Sequence, residues 1–154
     1  MVSHVKPGSQ SLHNYGQYQR GLMLLIFIVS GIYWAIARYV DAPVFDEAQY
    51  GPFVMAVKAE IWLMPIFFAS GIHLIGQVVN GDPRLQPWVT PSIRAISALV
   101  VSLDMLLFAY GGLYAPNYDL YFAYTGAVGC VTTWFFWMGA NDLRRALTVN
   151  RNEK

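Results

Sequence analysis

Lys58, Glu60 and Asp104 interrupt stretches that are otherwise apolar, so they are the first residues to question for chemistry. Ionisable groups inside an apolar span are costly, and they mark ion paths, proton relays or ion pairs. Lys58 and Glu60 fall early in a stretch running from about Phe53 to Val79. At about 1.5 Å of rise per residue, they lie roughly 8 Å and 10 Å beyond its start. Asp104 lies in a stretch from about Ile93 to Gly112, roughly 12 Å from its end by the same rise. Antiparallel neighbouring helices bring the three to similar depth.

Two readings follow. In one, two carboxylates and a tuning lysine form an ion or proton site. In the other, Lys58 pairs with Asp104 and holds two helices together. Lys58 and Glu60 are two residues apart and cannot share a helix face. One pairs inward while the other snorkels or meets a partner protein.

His73 lies towards the other end of the same stretch and can serve as a ligand or as an interfacial polar group. A bis-histidine b-type haem site needs a second histidine at matching depth on another helix. His4 and His13 are the only others, and both fall in the polar N-terminal segment. The expectation is no cofactor, with haem b, or quinone beside His73 and the inner tryptophans, as the alternative. No His, Asp or Glu spacing suggests a metal cage. The single cysteine, Cys130, permits neither an intramolecular disulfide nor a cysteine metal site. Phosphate loops, dinucleotide fingerprints, HExxH and G-x-S-x-G are absent, so no catalytic residue is assigned.

The elements that position these residues are long apolar helices. Hydrophobic residues make up 56% of the 154 and charged ones only 12%. Soluble domains carry about 25% charged residues, so this composition excludes a water-facing globule or a nucleic-acid binder. Four apolar stretches, about Gly21–Tyr39, Phe53–Val79, Ile93–Gly112 and Leu120–Ala140, approach the roughly 20 residues a bilayer crossing requires. They are apolar on all faces, which excludes the alternation of a β-barrel. The expected fold is an all-α integral membrane bundle of four transmembrane helices. It is flanked by a polar tail, 1–20, and a basic tail, 141–154, with the bundle at 21–140. Ala35-Ile36-Ala37 resembles a signal-peptidase site, but the segment before this long span disfavours cleavage.

Orientation follows from charge. With both termini on one side, that side carries Lys6, Arg20, Arg84, Arg94, Arg144, Arg145, Arg151 and Lys154, against Arg38 alone opposite. Positive residues stay inside, so both termini are expected to be cytoplasmic, in an inner membrane or its organellar equivalent. Asn80-Gly81-Asp82-Pro83 reads as a turn, with Thr90 as a helix cap before Pro91. Pro65 should kink its helix.

Small residues mark close helix packing: Ser30, Gly31, Ser70, Gly71, Gly111, Gly126 and Gly129. Ile26-Phe27 and Ser30-Gly31-Ile32 recur forty positions later as Ile66-Phe67 and Ser70-Gly71-Ile72. The copies run in opposite directions, as in an inverted repeat, although short apolar sequences also coincide by chance.

Three functions fit. The first is a non-catalytic subunit of a larger membrane complex. The second is a homo-oligomeric pore, holin-like protein or ion-coupled transporter with Glu60 and Asp104 facing its path. The third is a haem- or quinone-binding anchor. Expected partners are the lipid bilayer and other membrane subunits or further copies of the chain, and no nucleic acid.

Overall fold

The computed structural model describes residues 8–40, 58–80, 84–113 and 120–152. They form four α-helices: α1 Gly8–Tyr39, α2 Ala59–Val78, α3 Val89–Gly112 and α4 Leu120–Asn152. The strong helix formers and the absence of glycine pairs or interior proline in α1 let it run for 32 residues, about 48 Å at 1.5 Å per residue. It starts at Gly8, well before the boundary at residue 20 that composition suggests. Likewise α4 continues through the basic segment to Asn152.

Two further boundaries differ from the sequence reading. The helix α2 starts at Ala59, with Lys58 in extended conformation as its N-cap. That puts Lys58 at the helix mouth instead of inside a span, and residues 53–57 lie outside the described residues. The cap of α3 is Trp88, not Thr90, so Pro91 falls inside the first turn. Proline is tolerated there because first-turn amides have no intrahelical acceptor. Pro65 sits within a continuous α2.

Among the described residues, three helices are long and apolar enough to cross a membrane: α1 from Gly16, α2, and α3 as far as Gly111. The fourth stretch of the sequence reading is not among them. Thr132, Thr133, Trp134, Trp137 and several glycines dilute the apolar character of α4.

Cross-helix contacts set an antiparallel order. Among the described residues, packing runs α1 on α2, α2 on α3 and, most extensively, α3 on α4, while α1 and α4 barely touch. Met23, Ile26, Ile66, Ala69, Ala98, Val101, Val128 and Phe135 fill the core with residues from all four helices. Large apolar side chains such as Leu24, Ile28, Ile72, Ile96 and Leu103 point outward. An apolar exterior around a close-packed interior suits lipid as solvent.

The repeated segments meet as a reciprocal clasp. Phe27 and Phe67 stack with centroids 4.6 Å apart and planes 14° from parallel. Phe67 covers Gly31, where an added Cβ would come within 2.8 Å of the ring, and Phe27 covers Gly71 at 3.0 Å. Ser30 and Ser70 each donate to the carbonyl one turn back, on Ile26 and Ile66, both at 2.7 Å. Each helix thus offers the other the same ring, glycine and self-satisfied serine, related by a local two-fold axis. Trp34 stacks on Phe67 at 5.9 Å, which breaks the symmetry on one side.

Candidate functional site

One end of the bundle holds a buried polar knot built by all four helices. His73 on α2 is fully buried at 0% exposure, and Gln19 on α1 is nearly so. The Nδ1 of His73 lies 3.1 Å from the Arg94 carbonyl and 3.0 Å from Ser97 Oγ, both on α3. Its Nε2 lies 2.9 Å from Gln19 Nε2. Arg94 Nη2 donates to Gln19 Oε1 at 3.0 Å, and Arg94 Nη1 reaches Asp142 on α4 at 3.8 Å.

The pattern fixes protonation. A carbonyl only accepts, so Nδ1 carries the proton and shares it with Ser97 Oγ. That hydroxyl is free to accept because it donates to Ile93 O at 2.7 Å. Arg94 holds the oxygen of the Gln19 amide, which turns the amide NH2 towards Nε2. The ring is therefore a neutral imidazole that donates from one nitrogen and accepts at the other.

Two glycines let the arginine reach this position. At Gly76, an added Cβ would lie 2.9 Å from Ile93 Cγ2 and 3.3 Å from Arg94 Cγ. At Gly139, it would lie 3.0 Å from the Ala95 backbone. The start of α3 is pressed between α2 and α4, and the guanidinium spans from Gln19 to Asp142. Gln77, one turn beyond His73, is buried with neither amide atom hydrogen-bonded, and Arg94 Nε is also unpartnered.

The charge group singled out from the sequence lies towards the opposite end and does not converge. Lys58 is exposed at the start of α2. Glu60 meets Arg38 at 4.0 Å, with side chains 34% and 59% exposed. Asp104 has a buried Oδ2 without a hydrogen-bond partner. Arg38 pairs with Glu60 and Arg94 with Asp142, and neither pair is the expected Lys58–Asp104.

The small residues hold varied contacts. Gly31 and Gly71 receive the phenylalanine rings, and Leu106 packs over Gly129, where an added Cβ would come within 2.9 Å of it. At Gly126 an added Cβ would make only an ordinary 3.6 Å contact with Ala109. Gly111 is buried. On α3, Ser102 bonds Thr133 Oγ1 at 2.5 Å and Gly129 O at 3.3 Å across to α4.

The sequence reading missed Gln19, Ser97 and Asp142, and it used Arg94 only as an inner-boundary charge. A signal was present. Gln77, His73 and Ser70 recur at helical spacing on α2, as do Arg94 and Ser97 on α3, giving two polar stripes inside apolar helices.

As a cofactor site the knot does not fit haem. Nε2, the atom that would bind iron, already accepts from Gln19, and displacing that amide would unseat Arg94. The side chains of His4 and His13 lie outside the described residues. Among the described residues, no three of His, Cys, Asp and Glu gather as a metal set would. No protein-family model, curated protein or solved structure matches the chain.

Proposed function

We propose that this chain is a four-span membrane protein, with both termini on the cytoplasmic or equivalent face, that serves as a structural or accessory subunit of a larger membrane complex. The polar knot carries the reading. Its histidine and both terminal guanidinium nitrogens are engaged with other helices of the same chain, which suits a fastening device more than a reacting centre. The outward faces are apolar and free to pack against lipid or other spans. The charge-free run from Leu120 to Ala140 supports counting α4 as the fourth span. The excess of basic residues on the termini's side supports the orientation.

Gentle detergent extraction at native abundance, with sizing and identification of co-migrating chains, tests the assembly. Migration inside a large hetero-complex is the expected result; a chain running alone contradicts it. For the orientation, a cysteine introduced near Asp46 should react with an impermeant maleimide from outside intact cells. Failure to label there, with labelling near Arg145, would reverse it.

Asp104 favours a second reading, a homo-oligomeric ion path. Its unpartnered Oδ2 is the one intramembrane carboxylate oxygen, among the described residues, buried without a bond. In liposomes, Asp104→Asn should then change ion flux; unchanged flux removes the pore.

A further inference from the structure

All four helices line a cavity of about 290 Å³ in the middle of the bundle. Ile26 and Ser30 wall it from α1, Trp62 from α2, Phe108 from α3, and Thr125 and Val128 from α4. Among the described residues α1 and α4 scarcely touch, so the helix pair that would close the bundle leaves a gap there. Leu25, Val29 and Tyr33 also line the cavity and are 49%, 42% and 43% exposed, which places the mouth on the lateral surface.

We propose that this cleft takes up one acyl chain of a bilayer phospholipid. The proposal rests on the membrane reading above. The lateral mouth faces the hydrocarbon layer, so a chain enters without crossing water or shedding polar groups. The walls carry no charged residue, and the hydroxyls of Ser30 and Thr125 are engaged within the protein. Ser30 Oγ is turned back to Ile26 O at 2.7 Å, and Thr125 has a partner of its own. A polar ligand would find only the Tyr33 hydroxyl, at the mouth. A further transmembrane helix, about 10–12 Å across, is too wide for this space. A single flexible hydrocarbon chain matches both the shape and the chemistry.

Trp62 provides the probe, because it lines the cavity yet is only 9% exposed. A version of the full chain that keeps Trp62 alone, with Trp34, Trp88, Trp134 and Trp137 changed to Phe, is placed in vesicles of phosphatidylcholine with brominated acyl chains. A companion keeps Trp134 alone, which is 51% exposed and faces outward. Bromine quenches on contact, so Trp62 should be quenched nearly as strongly as Trp134. Adding Val128→Phe should lower Trp62 quenching about three-fold, because the ring takes volume from the chain and close-packed interiors leave no spare space. Ile26→Phe is the second filling variant if Val128→Phe does not fold.

Quenched Trp134 with unquenched Trp62 overturns the acyl site. Unchanged quenching after filling does so too. If neither tryptophan is quenched, the membrane reading itself fails. Native mass spectrometry of the unsubstituted chain gives the identity of the occupant: one retained phospholipid is expected, and a retained isoprenoid lipid in its place overturns the assignment.

Discussion

At the Gln19 end, four helices send side chains to one point, and His73, Arg94, Gln19, Ser97 and Asp142 bond to one another there. At the Arg38 end, Lys58, Glu60, Arg38 and Asp104 supply four charges against the two of Arg94 and Asp142, yet they form one loose 4.0 Å pair. The number of ionisable residues does not explain the difference. At the Gln19 end, Gly76 and Gly139 let backbones approach, and the neutral amide, hydroxyl and imidazole bridge what charges alone would leave unpaired. A buried charge is tolerated when its remaining bonds are satisfied, and a neutral donor-acceptor is the group that does this. At the Arg38 end, exposure and distance screen the pair, which leaves little energy in it.

This contrast predicts a ranking of substitutions, read by denaturant unfolding in mixed micelles. His73→Ala should have the largest effect, a loss of about 3–4 kcal/mol from the cavity and from polar groups stranded on α1 and α3. A loss under about 1 kcal/mol would mean the knot contributes little beyond ordinary burial. Next is Gly139→Ala, where the new methyl meets the Ala95 backbone. It should cost about 1–3 kcal/mol, whereas Gly126→Ala, facing only a 3.6 Å contact, should be neutral or slightly stabilising. Equal costs for the two would show that helix approach is not what seats Arg94.

The clasp gives the third test. Gly31→Ala and Gly71→Ala both push on a phenylalanine ring, and each should cost about 1 kcal/mol. Because Phe67 is also stacked on Trp34, Gly31→Ala should be the costlier by a few tenths. A Gly71→Ala effect several times larger would break the two-fold reading. Smallest of all, Glu60→Gln should stay within about 0.5 kcal/mol. A loss comparable to that of His73→Ala would erase the distinction between the two ends.

The internal echo shows how a weak sequence signal acquires meaning. A match of a few apolar and small residues is consistent with coincidence. In the fold those residues touch each other, ring to glycine in both directions, so the repeat coincides with a packing motif. Asp142 shows the opposite case. Its position in a basic terminal segment suggests a solvated charge, yet the continuation of α4 carries it alongside Arg94.

By itself, the sequence determined that the chain is helical, that it carries helices apolar enough to cross a bilayer, and which residues share a helix face. These follow from composition and the 3.6-residue period, which are local properties. It also supplied His73 and Asp104 as residues to examine. Only the tertiary structure decided which faces meet, because each helix can rotate about its axis without changing its own hydrogen bonds. That rotation is set by close contacts far apart in sequence: Gly76 on Ile93, Gly139 on Ala95, and Phe27 and Phe67 on each other's glycines. Those contacts bring Gln19, His73, Arg94 and Asp142 together, and they leave α1 and α4 apart with an apolar cleft between them.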